Sequence, residues 1–463
     1  MSQLKSLLDI EEEAQLWDAE VNGLHLWAAI RTTVLSTRLY RTFGHSRPHA
    51  SRRRIQPLIN PGKWSGYVRF LRWLTRQRNT KYNTMIFKDV MTRSGDIDRI
   101  YQAYYDELPS SLVLETNFTG LNPLLNEVGQ AELHTEDIIQ AWTLFRRSFN
   151  RLSPSSRDTI NSFADEIAYL FEINDLKADL QSRMIRFITL YHPLTAFIEQ
   201  HIQPRITSST VFLHMASYSN RYGLLTRILH DLGYTVIEPQ HGTVHSEHFA
   251  YQFPSSCFEK DHVCRQYLPD IMLTFGEFWH QAATVPYTCI PIGYAYLNDV
   301  ASRLRSEVTE DPTQVLIISQ GIVTTQMVEI AKQLATAHPS KTFIFKLHPQ
   351  EINFTDRYAD LYSISNVQVI GQGNVYALIA ACTTIIGYSS TVLYETLAFG
   401  QKRVFVLDND SLEGEIGTRF QTIDELLTVF DDPTAGGSQI DPTMLWAINP
   451  RDRLRAFLAE HPL

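Results

Sequence analysis

The sequence is poor in cysteine, in long apolar runs and in net positive charge. Four cysteines among 463 residues exclude a dense disulfide framework and suit a reducing compartment. A formal net charge of −9 excludes a general nucleic-acid binder, because such proteins need basic surface to displace counterions from phosphates. No apolar run approaches the ~20 residues that span a bilayer, and the acidic N-terminus lacks the pattern of a signal peptide. The sequence therefore predicts a cytoplasmic protein.

The composition is that of a globular chain with more than one domain. Hydrophobic residues make up 44% and charged residues 20% of the sequence. With roughly 150 residues per domain, this length predicts two or three units. The proposed units are a helical N-terminal region (1–80), a first α/β lobe (81–295), a second α/β lobe (296–445) and a closing helix (446–463).

Residues 1–80 combine a helical pattern with a basic, aromatic stretch. The stretch runs from Arg38 to Arg78 and interleaves arginines with Trp64, Tyr67 and Trp73. One interpretation is attachment to an anionic membrane surface, which would place the protein on the inner face of the plasma membrane. The alternatives are a helical face packed on the protein, or a surface for an anionic glycan acceptor.

Two series of strands alternate with helices, which indicates parallel sheets. The first contains NTMIF, SLVLET, TVFLHMA, TVIEPQHG, DIMLTFG and YTCIPIG, with a helical insertion at about 120–205. A polar stretch at 297–313 is interpreted as a linker. The second series contains QVLIISQG, TFIFKLHP, NVQVIG, TIIGYSS and RVFVLD. The predicted fold class is α/β with two Rossmann-like lobes.

Polar side chains follow three strands of the second series. Ligands of open parallel sheets bind beyond the carboxyl ends of the strands, so these side chains predict one ligand crevice. A serine that caps the helix after TIIGYSS leaves backbone N–H groups for a phosphate, and Glu395 is placed to accept hydrogen bonds from ribose hydroxyls. The predicted donor-site residues are Ser319, Gln320, Gly321, Lys346, His348, Ser389, Ser390, Thr391 and Glu395.

The segments FKLHPQE and GYSSTVLYETLAFG resemble the HP and SS motifs of bacterial sialyltransferases, polysialyltransferases, Kdo transferases and glycerophosphotransferases. The resemblance covers roughly residues 312–410. It implies a GT-B fold, in which two Rossmann-like lobes face a cleft, and catalysis without a bound metal. It also implies that His348, Ser389 and Ser390 hold the phosphate of a CMP- or CDP-linked donor.

A looser resemblance covers VIEPQHGTVHSEHFAY in the first lobe. Many envelope-polysaccharide glycosyltransferases have a Glu-x-Gln-His-Gly turn at the corresponding place, facing the donor. The acidic element that sialyltransferases carry before the glycine is replaced here by Gln240 and His241. This departure counts against a simple sialyltransferase.

Catalytic groups are expected on the same loop. An inverting transfer needs one base, and His241 oriented by Glu238 is the first candidate. A retaining transfer could use a carboxylate nucleophile, for which Glu238 and Glu115 are available. The choice between the two mechanisms stays open. His245 and Glu247 lie on the loop as well.

No metal and no tightly bound cofactor are predicted. Cys257 and Cys264 lie near His248 and His262, which raises a zinc site, but their spacing matches no paired CxxC knuckle.

The predicted function is transfer of a sugar from a CMP-linked donor to a surface polysaccharide, such as lipopolysaccharide O-antigen or capsule, or to a lipid-linked glycan. Kdo is the first candidate sugar and sialic acid the second. The alternatives are a CDP-polyol phosphotransferase, a UDP- or GDP-hexosyltransferase, a UDP-sugar epimerase of the same two-lobe fold, and a noncatalytic component of a polysaccharide-assembly complex.

Overall fold

The computed structural model of the chain describes most of both predicted lobes. The predicted basic, aromatic stretch falls almost entirely in 43–79 and lies outside the described residues, as does most of the first part of the predicted helical insertion, up to residue 151. The structure describes residues 3–42, 80–89, 93–94, 97–116, 133–134, 152–321, 323–348, 351–352, 354–408 and 412–461.

The N-terminal region is helical and packs on the first lobe. Its second helix buries Trp27, Ile30, Val34 and Leu35, the apolar stripe that the sequence shows. Because this stripe joins the core of the first lobe, the region is part of that lobe's packing. Its elements are α1 (Gln3–Glu13), β1 (Glu20–Val21), β2 (Leu24–His25) and α2 (Leu26–Thr42).

The first lobe contains a seven-stranded sheet whose neighbouring strands are all parallel. The strands of this lobe are β3 (Thr84–Asp89), β4 (Arg93–Ser94), β5 (Ile97–Asp98), β6 (Ser111–Thr116), β7 (Leu133–His134), β8 (Thr210–Leu213), β9 (Thr235–Pro239), β10 (Ile271–Thr274) and β11 (Thr288–Pro291), of which β4 and β5 form a separate antiparallel pair. The helices are α3 (Gln102–Glu107), α4 (Pro154–Leu170), α5 (Lys177–Phe197), α6 (Arg221–Asp231) and α7 (Glu277–Ala282).

The stretch interpreted as a linker connects the two sheets, but most of it is a helix, which the sequence did not predict. Helix α8 (Ala295–Glu307) buries Leu297, Val300, Ala301 and Leu304. These positions follow a spacing of three and four residues, which places them on one helical face. The charged residues between them hide this periodicity in the sequence. Only Val308–Glu310 separates the helix from the next strand.

The second lobe contains a six-stranded parallel sheet. Its strands are β12 (Asp311–Ile318), β13 (Thr342–Lys346), β14 (Val367–Ile370), β15 (Cys382–Gly387), β16 (Arg403–Leu407) and β17 (Thr418–Phe420). The helices that follow α8 are α9 (Thr324–Ala337), α10 (Val375–Ala381), α11 (Thr391–Glu395), α12 (Ile423–Phe430), α13 (Pro442–Leu445) and α14 (Pro450–Glu460).

Both sheets have the strand order of the Rossmann fold. The second sheet runs β14-β13-β12-β15-β16-β17, which is the order 3-2-1-4-5-6 when its strands are numbered from one. The first sheet runs β7-β6-β3-β8-β9-β10-β11, the same order with one strand more. The predicted α/β fold class with two Rossmann-like lobes is confirmed, and the architecture is that of the GT-B fold.

The chain passes between the lobes twice, and the two passes touch. A Cβ on Gly293 would lie 2.4 Å from the carbonyl oxygen of Ala447, and Gly293 has a φ of +91° that favours glycine. A Cβ on Gly276 would lie 2.2 Å from the Met444 carbonyl oxygen. Both glycines therefore allow the returning segment to lie directly on the first lobe.

Helix α14 then packs on the first lobe, close to its sheet. Its Leu454 and Phe457 join the apolar cluster that includes residues of β3, β6 and β8. Arg451 pairs with Asp106 at 2.7 Å. Helix α14, which follows the second lobe in the sequence, therefore packs against the first lobe. Among the described residues, no helix is long and apolar enough to cross a membrane.

Candidate active site

The ends of β12 and β15 are joined by two hydrogen bonds. The Gln320 side chain donates from Nε2 to Ser389 Oγ at 2.7 Å, and its Oε1 accepts from the Ser389 backbone N–H at 3.1 Å. These two strands are neighbours at the point where the strand order reverses. Open α/β sheets bind ligands at this switch point. The predicted residues Gln320 and Ser389 therefore meet at the edge where a ligand is expected.

Ser390 begins the short helix after β15. Its side chain accepts a hydrogen bond from Val392 N–H at 3.3 Å, as expected of a residue that caps a helix. Thr391 is the first residue of the helix. Ser389, Ser390 and Thr391 are all half-buried, so their backbone and hydroxyl groups border the edge of the sheet rather than its core.

Lys346 and His348 follow the neighbouring strand β13. The His348 side chain is exposed. Lys346 is 8% exposed, and its ammonium donates to the carbonyl oxygen of Gly371 at 2.9 Å and to that of Leu347 at 3.2 Å. Burial lowers the pKa of Lys346. The imidazole is thus placed toward solvent at the predicted phosphate site, while the lysine binds the loop after β14.

Glu351 joins three parts of this edge, and its role was not predicted from the sequence. It is 3% exposed and accepts hydrogen bonds from Ser319 Oγ at 2.8 Å, from Thr324 Oγ1 at 3.1 Å and from His348 N–H at 3.2 Å. The Tyr358 hydroxyl also donates to it. Glu351 therefore fixes the turn that carries His348. Its place in FKLHPQE, three residues after the histidine, was the available signal.

The Ser319 hydroxyl is turned away from the crevice. Ser319 is 1% exposed and its Oγ donates to Glu351. Gly321, another predicted residue after β12, lies against the same carboxylate. A Cβ atom at this position would be 3.5 Å from Glu351 Oε1. Ser319 and Gly321 thus surround the supporting carboxylate.

Glu395 lies in a buried cluster between the lobes. It is 8% exposed, and burial raises the pKa of its carboxyl group to about 7, although the charge of Arg99 and a hydrogen bond with Tyr376 oppose the rise. Arg99 comes from the first lobe and Glu395 from the second. The carboxylate predicted to bind ribose therefore interacts with a cation across the boundary between the lobes.

Glu238 ends β9 at the carboxyl edge of the first sheet. It is fully buried, and its carboxylate accepts hydrogen bonds from Ser217 N–H at 2.7 Å and from the Tyr251 hydroxyl at 2.8 Å. The Ser217 hydroxyl donates as well. Burial raises the pKa of Glu238 to about 7, although these hydrogen bonds oppose the rise. The carboxylate is accordingly held in place by three hydrogen bonds from two segments, those that carry Ser217 and Tyr251.

His241 lies beside Glu238 but is not hydrogen-bonded to it. Its Nδ1 is 3.9 Å from Glu238 Oε1, beyond hydrogen-bond distance, and this buried nitrogen has no hydrogen-bond partner among the described residues. Burial, with the nearby His214, lowers the pKa of His241. The ring is therefore neutral near pH 7, which is the form that accepts a proton. A shift of about 1 Å would complete the hydrogen bond to Glu238.

Other histidines surround His241. The rings of His214 and His241 are 4.6 Å apart, and His214 follows β8, next to the switch point of the first sheet. Burial lowers the pKa of His214 to about 3. His248, whose Nε2 is 3.1 Å from the Tyr218 hydroxyl, has a pKa lowered by burial to about 3. These neutral imidazoles form a group in which His214 is buried and His241 and His248, on the loop after β9, are half-buried.

The remaining first-lobe candidates lie elsewhere. Glu115 is on β6, three strands from Glu238 on β9, a separation of roughly 14 Å at the usual strand spacing. Glu247 Oε2 accepts a hydrogen bond from Leu4 N–H in the N-terminal helix. His245 is part of the same group of histidines, and burial lowers its pKa. The structure thus brings Glu238, His241 and His245 together and separates Glu115 from them.

The carboxyl edges of the two sheets face each other. Ser246 N–H, on the loop after β9, donates to Glu413 Oε1, and Glu413 lies on the segment after β16. The Tyr394 hydroxyl, from α11, donates to the Glu413 carbonyl oxygen. Tyr394 also packs on Trp279 of α7 with ring centroids 4.9 Å apart. The loop after β9 that carries His241, His245 and His248, called the histidine loop below, therefore borders the edge of the second sheet that carries Ser389 and Ser390.

A groove of about 820 Å³ opens at the opposite edge of the second sheet. Its lining includes Lys402 and Arg403 at the start of β16. Lys402 is bound to Glu310 at 2.6 Å, and Arg403 donates to the backbone carbonyl oxygens of Ala435 and Phe430. These two cations therefore already bind protein groups.

Comparisons with known proteins give low similarity. No family model matches the sequence, and no curated protein matches it. Among solved structures, a UDP-GlcNAc 2-epimerase from Neisseria meningitidis bound to UDP-GlcNAc is 14% identical, with 82% of this chain and 100% of that chain covered and a TM-score of 0.48. The Anabaena HepE protein in complex with UDP and glucose is 12% identical, covers 82% and 99%, and has a TM-score of 0.42. The Acinetobacter baumannii MurG structure is 10% identical, covers 75% and 90%, and has a TM-score of 0.38. At such values these likenesses carry no argument about activity.

Proposed function

We propose that this chain is a glycosyltransferase that takes a sugar from a nucleotide-linked donor. The observation that carries the proposal is the pair of hydrogen bonds between Gln320 and Ser389. These bonds join the ends of β12 and β15 at the switch point of the second sheet, where a ligand is expected. His348 stands on the adjacent strand end. A departing nucleotide phosphate needs such preorganised donors, since they stabilise charge without rearranging during the reaction.

In this proposal the two lobes have different tasks. Residues 296–445 hold the donor, and residues 81–295 hold the acceptor. His241 takes the proton from the acceptor hydroxyl, and Glu238, ionised above its pKa of about 7, stabilises the imidazolium that forms. Closure of the cleft would bring Glu238 and His241 from 3.9 Å into hydrogen-bond contact.

A CMP-linked donor is the specific form of the proposal, with Kdo first and sialic acid second. It rests on the order and spacing of FKLHPQE and GYSSTVLYETLAFG. The acceptor would be a surface polysaccharide or a lipid-linked glycan, at the inner face of the membrane. A UDP- or GDP-sugar and a CDP-polyol are the rival donors, because the same phosphate groups would bind them.

The test is a thermal-shift measurement of the full chain with CMP, CDP, UDP, GDP and ADP. A ligand present at 100 times its Kd stabilises the folded state by about 2.7 kcal/mol. We expect the largest shift with CMP, and loss of the shift in the double variant Ser389→Ala, Ser390→Ala. The matched control is Ser363→Ala, on an exposed turn of the same lobe.

Each outcome has a separate meaning. A larger shift with UDP or GDP would be consistent with a glycosyltransferase, but it would contradict the CMP-linked donor and favour a UDP- or GDP-sugar. The absence of a shift with every nucleotide would contradict the proposal and favour a noncatalytic component. Nucleotide release from a UDP-sugar without a glycosylated acceptor would favour an epimerase instead.

A further inference from the structure

Two adjacent turns bring Cys257, His262 and Cys264 together inside the first lobe. Cys257 lies in the turn Ser255–Phe258, and Cys264 lies in the turn Val263–Tyr267. His262 immediately precedes and caps the second turn. The two sulfur atoms and one imidazole nitrogen all lie within 4.8 Å of one another. Both cysteines are fully buried, and the histidine is half-buried. Two thiols and an imidazole in one interior spot are the donor set of protein zinc sites.

We propose that Cys257, His262 and Cys264 bind one Zn²⁺ ion. Zinc takes thiolate and imidazole ligands in a tetrahedral arrangement. Two thiolates balance the charge of the ion, so the occupied site is neutral and suits a buried position. The three side chains leave the fourth position to water, which can reach the site from the half-buried side of His262.

The contacts now made by these groups are weak enough to be exchanged. Cys264 Sγ donates to the Cys257 carbonyl oxygen at 3.7 Å, and Cys264 N–H donates to His262 Nδ1 at 3.2 Å. Metal binding would replace the long contact of the Cys264 thiol, and each thiol would release its proton. With metal–ligand bonds of about 2.0–2.3 Å, the ligand atoms of a tetrahedron lie roughly 3.5 Å apart, so the three groups need to close by at most about 1 Å.

The surroundings favour a cation at this place. Glu12, from α1, binds the residues that immediately precede Cys257, because its carboxylate accepts from Ser255 Oγ at 3.0 Å and from Ser256 N–H at 3.1 Å. The charges of Glu12 and His262 interact. A zinc ion here would fasten the segment after the histidine loop at a point where the N-terminal helix also contacts it.

The other two cysteines supply matched controls. Cys289 on β11 and Cys382 on β15 are also buried and free, and neither belongs to a comparable ligand group in the part of the chain that the structure describes. A Cys→Ser change at either position removes one buried thiol without touching the proposed site. The comparison therefore separates metal binding from a general effect of losing a thiol.

The experiment measures metal content in the purified full chain by inductively coupled plasma mass spectrometry. We expect about one zinc ion per chain in the natural protein and in the Cys289→Ser and Cys382→Ser variants, and little in Cys257→Ser or Cys264→Ser. Because the latter variants could fail to fold, the natural protein is also stripped of metal and refilled with Co²⁺. Tetrahedral thiolate coordination then gives visible d–d bands and a near-ultraviolet charge-transfer band.

Two results would overturn the proposal. One is natural protein that contains no zinc as purified and develops no Co²⁺ bands after refilling. The other is loss of zinc from the Cys289→Ser variant equal to the loss from Cys257→Ser, since the ion would then lie elsewhere. Both readouts are independent of enzymatic activity.

Discussion

Gln320 and Ser389 hold each other through two hydrogen bonds across the point where the strand order of the second sheet reverses. A glutamine amide can donate and accept at once, so one side chain fixes both the hydroxyl and the backbone of the serine. Positioning of this kind lowers the cost of ordering the loop when an anion binds, because the loop is already ordered.

Replacing Gln320 by alanine tests this positioning. We expect Gln320→Ala to weaken nucleotide binding by about tenfold to a hundredfold, since each lost hydrogen bond contributes roughly 0.5–1.5 kcal/mol. Isothermal titration calorimetry measures the change. The matched control is Gln314→Ala nearer the other end of the same strand, where the side-chain amide donates to Asp311 Oδ2. Equal weakening in both variants would contradict the positioning role.

His348 is expected to act on the phosphate itself. We expect His348→Ala to reduce kcat by about a hundredfold or more, because removal of one preorganised donor to a developing charge has an effect of this size. Circular dichroism and the melting temperature should stay close to those of the natural protein, since the side chain is exposed. The control is His338→Gln, before the opposite end of β13. Full activity in His348→Ala would contradict the proposal that the donor phosphate binds at this site.

The pH dependence of the rate tests the pair of His241 and Glu238. Burial raises the pKa of Glu238 to about 7, and the ionised form is the one that stabilises an imidazolium. We therefore expect kcat/KM to fall as the pH is lowered through about 7. In Glu238→Gln that ionisation should vanish from the profile and the rate should be lower throughout. An unchanged profile in the variant would assign the ionisation to another group.

Buried histidines should also shape stability. Burial lowers the pKa of His248 to about 3, and the unfolded value is about 6.5, so the unfolded chain takes up the proton first. Its contribution to stability is complete above pH 6.5 and is lost as the pH falls, at up to about 1.4 kcal/mol per pH unit. His241 and His245, which face His248, shift in the same direction.

Urea unfolding between pH 5 and 7 measures this effect. We expect His248→Gln to show a weaker loss of stability on acidification, because glutamine keeps a partner for the Tyr218 hydroxyl and takes up no proton. The control is His280→Gln, whose side chain is 43% exposed and which should keep the slope of the natural protein. A slope unchanged by His248→Gln would show that other groups dominate.

Arg31 links the N-terminal helices to the histidine loop. It is 2% exposed, pairs with Glu11 at 2.9 Å, and donates to the carbonyl oxygens of Phe249 at 2.9 Å and Gln252 at 2.7 Å. Because Arg31→Met leaves a buried carboxylate without its cation, we expect it to lower the free energy of unfolding by about 3–5 kcal/mol.

A double variant checks this explanation. Glu11→Gln combined with Arg31→Met should recover part of the loss, since the unpaired charge is gone. Arg41→Ala is the matched surface control, because the Arg41–Asp175 pair is exposed and such pairs contribute at most about 1 kcal/mol. Denaturant unfolding gives all three values. A double variant less stable than Arg31→Met would contradict the account.

The fold was largely predictable because its strands are short apolar runs between turn residues. TFIFK and TIIGY predict buried strands from composition alone, and both are central in the second sheet. Helix Ala295–Glu307 was missed because Asn298, Asp299 and Arg303 interrupt its apolar positions in the sequence while lying on its other faces. Local composition therefore predicted buried strands better than a surface helix.

The site was predictable only in part, because side-chain pairing depends on strand order. The sequence places Gln320 and Ser389 at strand ends, but that they touch follows from β12 and β15 being neighbours. Glu351 and Arg31 act from within the core, where a charged residue is predicted poorly by pattern. The convergence of Cys257, His262 and Cys264 depends on two adjacent turns whose shape their spacing does not reveal.

The close contact between Gly293 and Ala447 has a mechanical consequence. Both covalent passes between the lobes meet at one spot, where no side chain separates them. Covalent connections that meet at one spot favour rotation of the lobes about that spot over sliding of one lobe past the other. The parts of the two lobes that lie far from Gly293 would then sweep the longest arcs during closure, while the Trp446 region beside the pivot would scarcely move. The geometry of the joint thus converts a small rotation into a large change in the width of the cleft.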